Sequence, residues 1–96
     1  MLNADEALAV CQGTFPQIHW QTRHSVSGLT TYIRTGRMPL GSFQLEDTHQ
    51  EQGWKIFAHG KIMGFAGNVE DMETVLKQGA QYHLELGKQL AQALSD

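Results

Sequence analysis

The chain has 96 residues, of which 41% are hydrophobic and 18% are charged, and its formal net charge is −3. This composition predicts one folded domain over residues 1–96 and disfavours a disordered chain. The chain lacks the strongly basic character of proteins that bind free duplex DNA, so duplex binding is disfavoured too. A single cysteine, Cys11, excludes an internal disulfide, and we expect a buried thiol. Because no apolar run reaches the roughly 18 residues of a membrane span and the first residues lack signal-peptide features, we expect a cytoplasmic protein with no membrane partner.

The first predicted element is a short helix. Asn3 is placed to cap it, with Glu6 three residues later as in a capping box. Gly13 is a natural end for the helix. Its apolar stripe consists of Ala4, Ala7, Leu8 and Cys11.

Five runs that alternate in polarity or are rich in β-branched and aromatic residues then predict strands. They are 18–23, 29–34, 40–45, 54–58 and 61–66. His59-Gly60 suits a two-residue hairpin turn, and the turn-forming residues Gly36 and Pro39 indicate a turn over 35–39. The polar stretch 46–53 is the longest predicted connection. Short connections between strands favour an antiparallel meander.

The last third of the chain predicts one long helix. Its apolar residues step by three and four positions, which is the period of a helix with one buried stripe. Asn68 is the predicted N-cap, supported by Asp71. At ~1.5 Å per residue, residues 69–94 would span about 39 Å, which exceeds the length of a strand. The order predicts an α+β fold: a short N-terminal helix, an antiparallel four- to five-stranded sheet and a long C-terminal helix packed on one face.

The alternation of the last two strands predicts which side chains face the helices. If Trp54, Ile56 and Ile62 face the helices, a second set of side chains faces outward. That outward set is Phe57, Met63 and Phe65, joined by His19, Arg23, Tyr32 and Arg34 where the register allows. Such a patch of aromatic and basic side chains is typical of protein-binding surfaces and of single-stranded nucleic-acid binders. Burial under a loop or a second copy is the third alternative.

Two further groups are candidate contact sites. Glu46, Asp47 and Glu51 form a predicted acidic loop, which we interpret as a partner-binding element. Along the long helix, three small residues and one histidine are spaced four residues apart and form a row. The row is Gly79, His83, Gly87 and Ala91. Since glycine in mid-helix costs roughly 1 kcal/mol against alanine, the row predicts close packing against the helix's own sheet or a helix–helix seam in a homodimer.

Reaction chemistry is not indicated. The five histidines are His19, His24, His49, His59 and His83, and no pair has the spacing of a helical or zinc-finger metal site. The glycine-rich run 60–67 lacks the Lys-Ser/Thr of a phosphate loop, and no serine lies in a nucleophile elbow. We expect no metal, no cofactor and no enzymatic activity. A small hydrolase or transferase using His19 or His59 is the least supported alternative.

Four segments resemble the layout of many small bacteriophage accessory proteins. They are Gly41-Ser-Phe-Gln-Leu, Gly53-Trp-Lys-Ile-Phe-Ala-His-Gly, Met63-Gly-Phe-Ala and the helix opening Asn68-Val-Glu-Asp-Met-Glu, and together they lie within residues 40–80. The resemblance implies a small intracellular protein that works by binding, such as a phage inhibitor of a host defence complex, for example an anti-CRISPR. The acidic residues would then face a basic, nucleic-acid-handling target.

The sequence therefore favours a non-enzymatic protein-binding module that inhibits or modulates a larger complex. The alternative is a single-stranded nucleic-acid-binding protein that uses the outer face of the sheet.

Overall fold

A computed structural model describes residues 2–35 and 43–95 of the chain. Two helices flank five strands in the predicted order, so the α+β fold class is confirmed. The elements are α1 (Ala4–Thr14), β1 (Trp20–His24), β2 (Thr31–Thr35), β3 (Phe43–Asp47), β4 (Trp54–Ala58), β5 (Lys61–Ala66) and α2 (Val69–Ser95). The predicted turn over 35–39 lies almost entirely outside the described residues.

Both helices begin at the predicted caps. The Asn3 side chain accepts a hydrogen bond from the backbone N–H of Glu6 at 2.8 Å, and the Glu6 carboxylate accepts the Asn3 N–H at 3.1 Å. At α2 the Asn68 side-chain oxygen accepts the Asp71 N–H at 2.8 Å. Each cap satisfies an N–H that the first helical turn would otherwise leave without a partner.

The strands form one antiparallel sheet in the order β1-β2-β3-β4-β5, as expected of a meander. The β4–β5 hairpin turns through His59 (φ 55°) and Gly60 (φ 76°), and positive φ at both turn residues is the geometry of a tight two-residue hairpin. One irregularity interrupts β4–β5: Ile56 pairs with Gly64 but Phe57 pairs with Ile62, so β5 carries an extra residue there.

One face of the sheet and the two helices enclose the core. Ile33, Leu45 and Ile56 are directly opposite one another on neighbouring strands and are completely buried. The first half of α2 covers them with Met72 and Leu76, which are also fully buried. Trp54 completes this layer, and its indole N–H donates to the Leu2 carbonyl at 3.0 Å, which ties the start of the chain to the sheet.

Helix α2 is longer than the sheet it covers, as the number of residues in its helical pattern predicts. It has 27 residues, about 40 Å at ~1.5 Å per residue, and its fully buried residues end at Gly79. The molecule is accordingly elongated, with principal extents of 46 × 29 × 23 Å. No helix among the described residues has the length and apolar character needed to span a bilayer.

The structure corrects two details of the sequence interpretation. Strand β3 extends to Asp47, so Glu46 and Asp47 belong to a strand and the connecting loop is shorter than predicted. In β5 the extra residue reverses the expected facing of its first side chains. Ile62 lies opposite Phe57 and is 47% exposed, whereas Met63 packs against the core. The expectation that Ile62 faces the helices and Met63 faces outward is therefore wrong.

Candidate macromolecule-binding face

The face of the sheet opposite the helices is built from alternate residues of all five strands. We call it the outer face, and in register from β1 to β5 it consists of Gln21, Arg23, Tyr32, Arg34, Gln44, Glu46, Lys55, Phe57, Ile62 and Phe65. Within the two described stretches, no helix or strand lies over it. The structure thus places Tyr32, Arg34, Phe57 and Phe65, four of the residues predicted to bind a partner, on one surface.

Cations lie over aromatic rings at two places on the outer face. The Arg34 guanidinium carbon is 5.1 Å from the centre of the Tyr32 ring, and the Lys55 ammonium is 5.3 Å from the centre of the Phe57 ring. Cation–π contacts at exposed sites contribute about 0.5–1 kcal/mol each. In each pair a cationic side chain and an aromatic ring are close enough to contact the same ligand.

The β1 edge of the outer face carries a chain of polar side chains. Arg23 donates to the Gln21 side-chain oxygen at 2.9 Å, and the Gln21 amide lies 3.2 Å from His19 Nε2. Arg23 is directly opposite Tyr32 on β2. These bonds orient the Arg23 guanidinium along the edge beside an aromatic ring.

At the β5 edge the outer face is apolar. Ile62 is 47% exposed and Phe65 is 44% exposed, and Phe65 is directly opposite Lys55. The bulge in β5 produces this arrangement, because it turns Ile62 to the same side as Phe57. The outer face therefore grades from polar and basic at β1 to aromatic and apolar at β5.

Acidic and basic side chains are unevenly distributed between the outer face and the helices. The outer face has three cations, Arg23, Arg34 and Lys55, and one acid, Glu46. The helices carry six acids and two cations: Asp5, Glu6, Glu70, Asp71, Glu73 and Glu85 against Lys77 and Lys88. A basic outer face on an acidic protein favours an anionic ligand at that face.

The three predicted acidic contact residues do not share one loop. Glu46 lies in β3 on the outer face, between Tyr32 and Lys55. Asp47 has the opposite facing; its carboxylate accepts the His49 N–H at 2.9 Å and lies 3.6 Å from the His49 ring. Glu51 is exposed in the connection between β3 and β4. Their common role in partner binding stays a prediction.

The four residues of the predicted self-association row have different surroundings. A Cβ on Gly79 would lie 2.5 Å from the Phe43 ring and 3.1 Å from the Ala58 side chain, so α2 packs directly on its own sheet there. His83 contacts His59. A Cβ on Gly87 would meet no atom of the described residues within 4 Å, and Ala91 is exposed. The row passes from the protein's own core to an open surface.

The structure shows the surroundings of His59, His83 and Cys11. His83 Nδ1 lies 2.8 Å from His59 Nε2, which joins two of the five histidines. The described part of the chain contains no group of three or more His, Cys, Asp or Glu side chains arranged to hold a metal. Cys11 is completely buried, and this burial raises the pKa of its thiol to about 12. A thiol with that pKa is not a nucleophile at neutral pH.

Comparison with protein-family models, with curated proteins and with solved structures found no match to this chain. Sequence reasoning missed the contribution of Ile62 and Lys55 to that face. The Lys55–Phe57 alternation in β4 could have indicated Lys55, whereas Ile62 is turned outward by a bulge that has no distinct sequence signal.

Proposed function

We propose that this protein binds single-stranded nucleic acid on the outer face of its sheet, without catalysing a reaction. The observation that carries the proposal is the pairing of cations with aromatic rings, at Arg34–Tyr32 and Lys55–Phe57, on a face that no described helix or strand covers. Unpaired bases stack on aromatic side chains, and neighbouring cations neutralise the phosphates between the bases.

A single strand fits this face better than a duplex does. The bases of a duplex are stacked on one another, so the rings of Tyr32, Phe57 and Phe65 would have no free base to stack on. The net charge of −3 also repels a long polyanion at a distance, and the three cations of the outer face act only at close range.

The direct test is fluorescence polarisation with labelled mixed-sequence DNA and RNA oligonucleotides of about 16 nucleotides, the upper end of the site size of small single-strand-binding domains. We expect saturable binding at low ionic strength that weakens as salt is raised. An unlabelled duplex of the same sequence should compete poorly. Absence of any polarisation change at about 50 mM salt and ~100 µM protein would overturn the proposal.

A protein partner is the second candidate, and the apolar β5 edge supports it. Exposed Ile62 and Phe65 beside Phe57 form the kind of aromatic and aliphatic cluster that anchors protein interfaces. In this alternative the protein is a binding module that inhibits or modulates a larger complex, such as a phage-encoded inhibitor of a bacterial defence complex. Arg34 and Tyr32 would lie at the rim of that interface.

A tagged pulldown from bacterial lysate, with and without nuclease, separates the two candidates. A stoichiometric protein that survives nuclease treatment and is lost with Phe65→Glu supports the protein-binding module. Recovery of nucleic acid alone, abolished by nuclease, supports the single-strand binder. Lys77→Glu is the control, because Lys77 is exposed on α2, away from the outer face.

A further inference from the structure

The last part of α2 projects beyond the core. Among residues 2–35 and 43–95, Tyr82 is the last helical residue that packs against the buried cluster, and His83 makes the last side-chain bond from α2, to His59 in the β4–β5 turn. Residues 84–95, which we call the projecting segment, continue the helix for about 18 Å at ~1.5 Å per residue. Because most of the stability of a protein helix comes from tertiary packing, and no described element packs on this segment beyond His83, we expect its apolar surface to contact a partner.

The projecting segment is sharply amphipathic. At about 100° per residue, its leucines and small residues lie on one side and its polar residues on the other. The apolar side is Leu84, Leu86, Gly87, Leu90, Ala91, Ala93 and Leu94, and the polar side is Glu85, Lys88, Gln89, Gln92 and Ser95. Leu84, Leu90 and Leu94 are 56%, 50% and 89% exposed.

We propose that the apolar side of the projecting segment is covered by the projecting segment of a second copy of this chain, forming a two-fold symmetric homodimer. This inference is independent of the nucleic-acid proposal, since the outer face lies on the opposite side of the sheet from α2.

Charge favours a second copy over other occupants. The chain as a whole has a net charge of −3, yet the projecting segment carries only Glu85 and Lys88, which pair with each other at 3.5 Å. Two copies therefore meet here without like-charge repulsion. A membrane surface is disfavoured, because helices that lie in the bilayer interface carry many Lys and Arg residues on their polar side.

The spacing of the apolar residues also favours self-pairing. Leu76, Gly79, His83, Leu86, Leu90 and Ala93 alternate steps of three and four, the period that keeps one stripe facing a partner helix. The first members of this stripe pack on the protein's own sheet, and the stripe then continues past it. Gly87 and Ala91 lie beside it, and their small size allows close approach of a second backbone; a Cβ on Gly87 would meet no described residue within 4 Å.

The contact area sets the expected strength. Two ~18 Å segments give an interface at the small end of specific contacts, on the order of 1,000 Å² in total. We therefore expect dissociation in the micromolar range rather than an obligate dimer. A two-fold interface uses the same surface patch of both copies, so each residue takes part in it twice. One substitution therefore changes two sets of contacts.

Sedimentation equilibrium of the purified full chain, from about 1 to ~300 µM, tests this inference around the expected micromolar constant. The mass should rise from 10.7 kDa toward twice that value. Leu90→Gln with Leu94→Gln should raise the dissociation constant at least ~10-fold, the equivalent of about 1.4 kcal/mol. Gln92→Ala, on the polar side, should leave it unchanged. Circular dichroism checks the fold, and Leu94→Gln alone serves as a second variant, since an 89% exposed side chain has no core packing to lose.

Two results would overturn the inference. One is a mass that stays at 10.7 kDa over the whole concentration range. The other is a dimer whose dissociation constant is the same in the leucine variants as in the parent, because the contact would then lie on another surface. Oligonucleotide binding by a protein that stays monomeric would leave the nucleic-acid proposal standing while removing the dimer.

Discussion

His83 and His59 share a hydrogen bond that joins the middle of α2 to the β4–β5 turn. Nδ1 of His83 lies 2.8 Å from Nε2 of His59, and the two rings are nearly parallel, with 13° between their planes. His59 Nδ1 is buried and has no hydrogen-bond partner among residues 2–35 and 43–95. A neutral imidazole carries one N–H, and burying that N–H without an acceptor costs more free energy than burying the unprotonated nitrogen without a donor. We therefore infer that the proton of His59 is on Nε2, which donates to Nδ1 of His83.

The first prediction concerns this bond. His83→Ala leaves the His59 N–H without an acceptor, so we expect the free energy of unfolding to fall by about 1–3 kcal/mol. His83→Asn keeps a polar acceptor near the position of Nδ1 and should recover part of the loss. Urea denaturation followed by tryptophan fluorescence measures both. His24→Ala, at an exposed position on β1, is the control and should change stability by less than ~0.5 kcal/mol. Equal losses in His83→Ala and His83→Asn would show that packing, not the bond, accounts for the effect.

This pair also shows what local sequence patterns leave undetermined. The caps at Asn3 and Asn68 and the boundaries of β4 and β5 are predictable, because capping residues, alternation and a His-Gly turn act within a few residues. The His59–His83 contact joins residues 24 apart in sequence and depends on how α2 crosses the sheet. The spacing of residues within α2 or within the β4–β5 hairpin does not predict how the helix crosses the sheet.

The outer face is predictable only in part, because alternation acts within one strand whereas bulges and register depend on the neighbouring strand. Strict alternation places Phe57 and Phe65 outward, but one extra residue in β5 reverses the facing of Ile62 and Met63. The polar character of residues 46–53 predicts a loop, whereas Glu46 and Asp47 are the last two residues of β3. In the sheet, Glu46 lies opposite Lys55, and this cross-strand pairing of opposite charges is not visible until the register is known.

The second prediction compares two glycines of α2. Gly79→Ala places a methyl group against the Phe43 ring, which is itself packed between Phe15 and Trp20 at centroid distances of 6.0 and 5.6 Å. We expect a loss of about 1–3 kcal/mol from overpacking. The methyl group of Gly87→Ala would meet none of the neighbours that the structure describes within 4 Å, so this change should stabilise the helix by up to ~1 kcal/mol. Thermal unfolding at low protein concentration measures both, and a stabilised Gly79→Ala variant would contradict the close contact between α2 and the sheet.

The third prediction concerns Cys11. Its buried thiol has a pKa of about 12 against 9.0 for the free group, so native protein at pH 8 should react with a thiol reagent about 1,000-fold more slowly than unfolded protein. Desolvation is the main cause, because burial penalises the thiolate. Time-resolved labelling with and without denaturant measures the ratio. Rapid labelling of the folded protein would place the thiol at an accessible surface.

The same shift predicts how stability depends on pH. The folded protein retains the thiol proton up to about pH 12, whereas the unfolded chain releases it near pH 9.0. The unfolded state then binds fewer protons between these values, so the contribution of Cys11 to stability is complete below pH 9 and is lost as pH rises toward 12. Cys11→Ala removes this ionisation, and its stability should fall less steeply over that window than that of the parent protein.

The last prediction separates the two parts of the proposed nucleic-acid site. Arg34→Ala removes a cation from the outer face, so the slope of log affinity against log salt should fall by about 1. Phe57→Ala removes a stacking surface and should weaken binding by about 1–3 kcal/mol while leaving the slope unchanged. Polarisation titrations at several salt concentrations measure both quantities. Lys77→Ala loses the same charge from an exposed position on α2 and is the matched control. If Phe57→Ala binds as tightly as the parent and Lys77→Ala changes the slope as much as Arg34→Ala, the interaction is diffuse electrostatic attraction rather than recognition by the outer face.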